Sequence, residues 1–287
     1  TMPAPLQLPP SPPAADGLAA DIPKTIWTYW NQSGLDPFVQ QCVDSWRRQC
    51  PDHQVIVVTP ESLGQYVACG DLPAAFAELH PTKQSDWLRL YLVAHHGGYW
   101  FDATTLLTAP LDWMGAGAGA AELAGFYLEG FTRDRRYPVI ESWSFCAPAG
   151  SRFVSDWQKE FHQALIVEGP AAYLQRLQSR PDAAEVLQGI PDPNYLLIHV
   201  TAQQVMRRLP DARLTLFKAE DTAFFYHRAL RWKWYLLYPQ LCLAKAPQVA
   251  APIVKLRGGE RRHFTDMLAL HGGAAPDSIW SRALSAR

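Results

Sequence analysis

Two acidic side chains and one guanidinium, close together in the 287-residue chain, have the types and spacing to bind a polar ligand. Asp86 and Arg89 are three residues apart, so a helix would place both on one face. Asp102 follows a Gly-Gly pair and a short aromatic run, which predicts a sharp reversal into a strand. Ligands of open α/β sheets bind at the carboxyl ends of strands. We therefore predict that these three side chains meet around one ligand, although Asp86 and Arg89 alone would indicate a surface ion pair.

The elements predicted around this site alternate between strands and helices. Apolar and β-branched runs predict strands over 24–30, 54–59 and 99–101, and helical spacing predicts helices over 37–49 and 82–96. Thr82 or Ser85 is the expected cap of the second helix, and Gly97 is its expected stop. This alternation predicts an α/β fold with a mostly parallel sheet flanked by helices.

Weaker patterns follow Asp102. Residues 125–128, 139–146 and 252–256 are predicted strands, 152–166 and 195–208 are predicted helices, and the small residues 115–121 indicate a loop. Residues 1–21 are rich in Pro and Ala, which predicts a flexible leader.

Composition limits the possible functions. Apolar residues make up 48% of the chain and aromatic residues 12%, enough for a buried core. The net charge of −1 gives no basic field for nucleic acid, so we expect no nucleic-acid partner. The five scattered cysteines indicate neither a zinc site nor a disulfide framework. The sequence carries no recognisable signal peptide or membrane span, which predicts a cytoplasmic protein.

Several motifs occur together in an order that resembles a known family. They are Ile22-Pro-Lys-Thr-Ile-Trp27, Ser85-Asp-Trp-Leu-Arg89, Gly97-Gly-Tyr-Trp-Phe-Asp102 and Glu141-Ser-Trp-Ser-Phe145. In this respect the chain resembles the DXD-containing sugar transferases of glycosyltransferase family 32, and in particular their capsular polysaccharide synthesis proteins. The likeness covers roughly residues 22–148.

The resemblance implies a fold and an activity. The fold would be GT-A, a Rossmann-like, mostly parallel sheet with helical C-terminal additions. Residues 22–287 would form one domain, with a nucleotide-sugar core over about 22–148 and an acceptor-binding, closing part over about 149–287. The activity would be retaining transfer of a hexose from a UDP- or GDP-sugar to a saccharide or lipid-linked saccharide, in capsule or lipopolysaccharide biosynthesis.

The resemblance also implies roles for individual residues. Trp27 would stack on the donor base, Asp86 would accept hydrogen bonds from donor hydroxyls, and Arg89 would hold hydroxyls or a phosphate. The expected donor-binding set is Trp27, Ser85, Asp86, Arg89, Gly98, Asp102 and Thr104. The expected catalytic set is Asp102, Arg89 and Glu141. Glu141 is the candidate carboxylate near the anomeric carbon, and attack guided by the leaving phosphate is the alternative route to retention.

A divalent cation, Mn²⁺ or Mg²⁺, is the cofactor that the resemblance implies, held by Asp102 and Thr104. The family motif is Asp-x-Asp, whereas this chain has Asp102-Ala-Thr104. A hydroxyl is a poorer ligand than a carboxylate, so the metal would bind more weakly, bind through water, or use another residue. The candidates for that residue are Asp112, Asp192, His199 and His263.

Basic residues late in the chain offer two further hypotheses. Lys255, Arg257, Arg261 and Arg262 could approach the diphosphate or remain solvated. Residues 224–235 interleave aromatic and basic side chains, which fits either a helix at the membrane surface or an amphipathic helix packed on the core. The first of these alternatives implies a peripheral contact with the inner face of a membrane.

Two other functions remain as alternatives. A sugar nucleotidyltransferase would need a glycine-rich, basic loop after the first strand. Residues 28–34 contain one glycine and no basic residue, which counts against that enzyme. A noncatalytic module that binds nucleotide sugars or carbohydrate is the other alternative.

Overall fold

The computed structural model describes residues 4–8, 21–118 and 121–285. Its strands are β1 (Leu6–Leu8), β2 (Thr25–Tyr29), β3 (Gln54–Val58), β4 (Gly98–Phe101), β5 (Thr105–Leu107), β6 (Leu123–Leu128), β7 (Val139–Ala147), β8 (Leu214–Lys218) and β9 (Ile253–Lys255). Its α-helices are α1 (Pro37–Gln49), α2 (Leu63–Tyr66), α3 (Pro81–His96), α4 (Asp112–Ala118), α5 (Arg152–His162), α6 (Pro170–Gln178), α7 (Ala183–Leu187), α8 (Leu197–Arg208), α9 (Phe225–Ala229), α10 (Gly258–His271) and α11 (Ile279–Leu284).

The central sheet has the strand order β1-β8-β6-β7-β4-β2-β3 within the described residues. Strands β3, β2, β4, β6 and β8 run in one direction, and β7 and β1 run against them. Helices pack on both faces of this sheet, over two apolar clusters. The predicted α/β fold, a mostly parallel sheet with helical C-terminal additions, is confirmed.

Helix α1 illustrates how local sequence sets an element. The carboxylate of Asp36 accepts a hydrogen bond from the backbone N–H of Val39 at 2.8 Å, and Pro37 occupies the first helical position. Trp46 is fully buried on the apolar face, and its indole N–H donates to the carbonyl of Thr105. This contact ties α1 to the segment that follows Asp102.

The beginning of α3 differs from the expectation. Neither Thr82 nor Ser85 caps the helix, because His80 precedes it and accepts a hydrogen bond from the backbone N–H of Thr82, with Pro81 at the first helical position. The predicted stop is confirmed: Gly97 ends the helix with φ of 66°. Helix α3 lies against β2, β4 and β7, so its buried face is fixed relative to the carboxyl end of β4.

The prediction of a flexible leader is wrong for one short segment. Leu6–Leu8 forms edge strand β1, antiparallel to β8, and the side chain of Gln7 accepts a hydrogen bond from the hydroxyl of Thr215. Alternation of apolar Leu6 and Leu8 with a polar residue lets this segment complete the edge. The remainder of the predicted leader, apart from residues 4–5 and 21, lies outside the described residues.

Two further expectations are corrected. The predicted loop over 115–121 begins as helix α4, because Leu111 and Met114 are buried beside the sheet; residues 119–120 lie outside the described part. Residues 224–235 do not form one continuous helix. Helix α9 ends at Ala229, and Arg231 and Trp232 adopt positive φ values of 53° and 59°. Within the described residues, no helix has both the length and the apolar character to span a membrane.

Candidate active site

A buried ion pair on α3 forms the base of the site. The Arg89 guanidinium and the Asp86 carboxylate approach to 3.0 Å, and both side chains are almost fully buried. Arg89 donates further hydrogen bonds to the hydroxyls of Ser85 and Ser142. It also lies 5.3 Å from the ring centre of Trp100. These contacts hold the planar guanidinium in one orientation, with hydrogen-bond donors directed to several partners.

Asp102 joins this pair from the end of β4. Its backbone N–H donates to the carbonyl of Trp143 in β7, and its carboxylate lies 3.1 Å from Arg89 and 3.0 Å from the ammonium of Lys255. Burial alone would raise the pKa of Asp102, but the positive charges of Arg89 and Lys255 outweigh it and hold that pKa below its ordinary value. Asp102 is therefore ionised at neutral pH.

A bulge in β7 brings two more polar side chains to the cleft. The pairing between β6 and β7 shifts so that Gly125 lies opposite Phe145 and Phe126 opposite Glu141. The intervening residues of β7 have no partner in β6, and a bulge of this kind re-aims side chains. Glu141 and Ser142 both line the cleft as a result.

Glu141 is paired with a histidine from α8. Its carboxylate lies 3.4 Å from Nε2 of His199, and both side chains are nearly buried. The Nδ1 atom of His199 has no hydrogen-bond partner among the described residues. This nitrogen has almost no accessible surface, so it is a buried polar atom whose hydrogen-bonding capacity is not met by these residues.

Lys255 joins the site from a part of the chain that is distant in sequence from Asp102. Its ammonium donates to the Asp102 carboxylate and to the Thr104 hydroxyl, each at 3.0 Å. The Thr104 hydroxyl in turn donates to the carbonyl of Leu256 at 2.7 Å. Asp102 and Thr104 are therefore joined to each other through an ammonium.

The cleft has two adjoining compartments of about 320 and 440 Å³, sizes typical of small-molecule sites. They share Thr82, Arg89, Asp102, Thr104 and Arg261. The first compartment extends toward Trp30 and Asn31 at the carboxyl end of β2. The second extends toward Glu141, His199, Lys255 and Arg257. Cationic and anionic groups thus line one continuous cleft at the carboxyl ends of β2 and β4.

The structure brings most of the predicted site residues together, but not all. Ser85, Asp86, Arg89, Asp102, Thr104 and Glu141 line the cleft. Trp27 lies instead in the core beside Tyr66 and His96, where its indole N–H donates to the carbonyl of Gly97.

Gly98 also lies away from the cleft and has a packing role. Its φ is 96°, and a β-carbon there would approach the carbonyl oxygen of Thr25 to 2.6 Å. Any side chain would therefore separate β4 from β2.

The later candidates divide in the same way. His199, Lys255, Arg257 and Arg261 line the cleft. Arg262 and Asp112 are exposed, Asp192 accepts a hydrogen bond from the backbone N–H of Tyr195, and His263 packs on Trp234 and Tyr238.

Trp30 is a cleft residue that the sequence prediction missed. The guanidinium of Arg261 lies over one face of its ring, with the central carbon 5.3 Å from the ring centre. A usable signal was its position: Trp30 directly follows β2, and side chains beyond the carboxyl end of a parallel strand face the ligand crevice.

The divalent cation that the resemblance implies does not fit between the side chains of Asp102 and Thr104, where the Lys255 ammonium lies. Metal ions contact oxygen ligands at about 2.0–2.6 Å, so an ion on the Asp102 oxygen that Lys255 binds would lie within about 6 Å of the ammonium. At an effective dielectric constant of about 20, their repulsion is on the order of 5 kcal/mol. Within the described residues, no group of three or more His, Cys, Asp or Glu side chains is arranged to hold a metal.

Comparison with known proteins assigns the chain to a family. A solved structure called PaToxG Glycosyltransferase is similar at a TM-score of 0.37 and 10% sequence identity, with 92% of this chain and 87% of that chain covered. A search of curated proteins finds no match. The family model described as capsular polysaccharide synthesis protein matches residues 17–165, just over half of the chain, including Asp86, Arg89 and Asp102. The chain therefore belongs to the capsular polysaccharide synthesis protein family.

Proposed function

We propose that the protein is a glycosyltransferase that moves a hexose from a nucleotide sugar to a saccharide or lipid-linked saccharide during surface polysaccharide synthesis. The observation that carries this proposal is the shared contact of Arg89 with Asp86 and Asp102 at the floor of a cleft. The ordered motifs of residues 22–145 support the finer assignment to DXD-type transferases of glycosyltransferase family 32.

The two compartments suggest how the donor would lie. The base and ribose of a UDP- or GDP-sugar would occupy the compartment near Trp30, whose aromatic face favours stacking. The hexose would lie above Arg89 and Asp86, where a carboxylate can accept hydrogen bonds from sugar hydroxyls. The diphosphate would then lie between them, near Asp102, Lys255 and Arg261.

Retention of anomeric configuration requires a group on the sugar's lower face or attack from the same side as the leaving group. Glu141 is the proposed carboxylate for the first route. Its contact with His199 supports a role near the reacting sugar, because the two side chains line the compartment together. Replacement of Glu141 with glutamine would abolish turnover on the first route and slow it modestly on the second.

The acceptor would approach from the side of Arg257. This residue lines the cleft, and its guanidinium also lies 5.6 Å from the ring centre of Trp232. Trp232, Trp234 and Tyr235 are exposed and adjacent in sequence to Arg231 and Lys233, a combination that suits the surface of an anionic membrane. We propose a peripheral contact with the cytoplasmic face of a membrane, where a lipid-linked acceptor would be presented. Pelleting with vesicles of anionic lipid tests this contact, and absence of pelleting would remove it.

Nucleotide release tests the transferase proposal. The wild type, Asp102→Asn and Asp112→Asn would be incubated with a panel of UDP- and GDP-hexoses, with saccharide acceptors and with or without Mn²⁺. We expect release by the wild type and by Asp112→Asn, since Asp112 is exposed and lies outside the cleft. We expect a loss of about 100-fold or more in Asp102→Asn, because Asp102 holds Arg89 and Lys255 in position and a small misplacement of such groups can cost that much. Binding of a nucleotide sugar without turnover under any condition would favour the noncatalytic module instead.

A further inference from the structure

Lys255 lies where a metal-dependent transferase of the expected type would hold its cation. The ammonium is within hydrogen-bond distance of both Asp102 and Thr104, the two positions that correspond to the ends of an Asp-x-Asp motif. Its side chain is only 11% exposed, so it is held in the wall of the cleft. Two of the three ammonium N–H groups are engaged by these oxygens, and among the described residues the third has no partner, which leaves it for a phosphate oxygen.

Backbone pairing at Lys255 and at the residue that follows it fixes the position of this lysine in the fold. Strand β9 pairs antiparallel with β5, and Lys255 lies directly opposite Thr105. The hydroxyl of Thr104 donates to the carbonyl of Leu256, and the backbone N–H of Leu256 donates to the carbonyl of Thr104. These reciprocal bonds hold Lys255 against the end of the Asp102–Thr104 segment. The placement is thus set by backbone pairing, not by a mobile side chain on a loop.

The electrostatic balance of the cleft suits an anion with several charges. Arg89 is paired with Asp86 and Asp102, and Lys255 also contacts Asp102. Arg261 lines both compartments, and its closest carboxylate contact, with Asp36, is long at 3.8 Å. A diphosphate between Lys255 and Arg261 would find two cationic donors that do not require a metal ion.

We propose that Lys255 replaces the divalent cation and stabilises the departing nucleoside diphosphate, so that this transferase works without metal. The inference rests on the proposed function. In the transfer, the bond between the anomeric carbon and the β-phosphate oxygen breaks, and its electron pair remains on that oxygen. A bond from the acceptor oxygen to the anomeric carbon forms, and the acceptor proton passes to the released diphosphate. Lys255 donates a hydrogen bond to that diphosphate and remains protonated throughout.

The first test measures nucleotide release and the affinity for UDP and GDP in EDTA and in Mn²⁺. We expect the wild type to change less than about twofold between the two conditions. We expect Lys255→Met to lose about 10²–10³-fold in release, the loss typical of removing one donor to a developing anion. Lys245→Met is the matched control, since Lys245 is exposed and outside the cleft.

A second test distinguishes a lysine that replaces a metal from a merely structural one. The double variant Lys255→Ala/Thr104→Asp restores the Asp-x-Asp pair and removes the ammonium. We expect it to bind Mn²⁺, measured by loss of the free-ion signal in electron paramagnetic resonance, and to release nucleotide only when Mn²⁺ is present. The wild type is expected to leave the free-ion signal unchanged.

The outcomes separate the two proposals. Loss of wild-type release in EDTA, or Mn²⁺ binding by the wild type that disappears in Asp102→Asn, would overturn the assignment of Lys255 while the transferase remains. A folded wild type that releases no nucleotide from any donor, with metal or without it, would refute the transferase itself.

Discussion

Replacing Arg89 with methionine removes the guanidinium that Asp86 and Asp102 share, while keeping a side chain of similar length. Breaking a buried ion pair by removing one partner costs about 3–5 kcal/mol, because a charge is left buried without compensation. Asp86 retains Lys83 at 3.6 Å and Asp102 retains Lys255 at 3.0 Å, which reduces the cost. We therefore expect the free energy of unfolding to fall by about 3 kcal/mol at pH 7.5.

The pH dependence of this loss has a definite sign. The pKa of Asp102 is depressed in the wild type, so its contribution to stability is present above the ordinary carboxyl pKa and is lost as pH falls through the depressed value. Without Arg89, the pKa of Asp102 rises, because burial disfavours its charged form and one of the two opposing positive charges is gone. Asp102 then protonates at higher pH, which relieves the penalty. The difference between wild type and Arg89→Met should therefore shrink between pH 7.5 and pH 5.

Urea unfolding at both pH values measures the effect, and α1 provides a matched control. Asp44 and Arg47 form an ion pair with the same three-residue spacing and the same 3.0 Å distance, but both side chains are nearly half exposed. Arg47→Met should cost less than about 1 kcal/mol at either pH. A loss below about 1 kcal/mol for Arg89→Met, or a loss that does not change with pH, would refute the view of Arg89 as the buried partner of Asp86 and of an ionised Asp102.

Three further outcomes are expected. Gly98→Ala should lower the melting temperature strongly or prevent folding, because a β-carbon would meet a carbonyl oxygen of β2 at 2.6 Å, whereas Gly34→Ala, with no atom within 4 Å, should fold normally in the same thermal scan. Trp30→Ala should weaken nucleotide binding in calorimetry with little loss of stability. Trp27→Phe should leave nucleotide binding unchanged but lower the free energy of unfolding by about 1 kcal/mol through its lost hydrogen bond. Equal nucleotide affinities of the wild type and Trp30→Ala would contradict the stacking role. Burial would raise the pKa of Glu260, but the neighbouring His227 and Arg257 lower it to about 2. Glu260→Gln should therefore lower the free energy of unfolding by roughly 2 kcal/mol at pH 7. Urea titrations should find this difference narrowing as pH falls from 4.5 toward 2.

Local sequence was sufficient to predict the part of the site that is near in sequence. Asp86 and Arg89 are three residues apart, so they share a helical face wherever that helix begins. The glycines that end α3 turn the chain directly into β4, and Asp102 follows β4. Trp27 lies within β2, whereas Trp30 lies beyond its carboxyl end and lines the cleft. Trp27 is held in the core by its hydrogen bond to Gly97, which periodicity alone does not reveal.

The contribution of Lys255 could not be derived from the sequence in the same way. It reaches Asp102 from 153 residues further along the chain, through the pairing of two three-residue strands. Short strands carry little periodic signal, and a lysine in an apolar run is read equally well as a solvated edge residue. The bend of the chain at Arg231 and Trp232 is similar, because positive φ at non-glycine residues depends on tertiary contacts that are not encoded locally.

Calorimetric titration with UDP- and GDP-hexoses tests whether the cleft around Asp86, Arg89 and Asp102 binds an activated sugar. Wild type, Asp102→Asn and Asp112→Asn would be compared after thermal unfolding has shown that each is folded. We expect one donor site per chain, unchanged affinity in Asp112→Asn and affinity at least about tenfold weaker in Asp102→Asn. Equal binding by wild type and Asp102→Asn, or no binding of any nucleotide sugar by the folded wild type, would contradict this expectation.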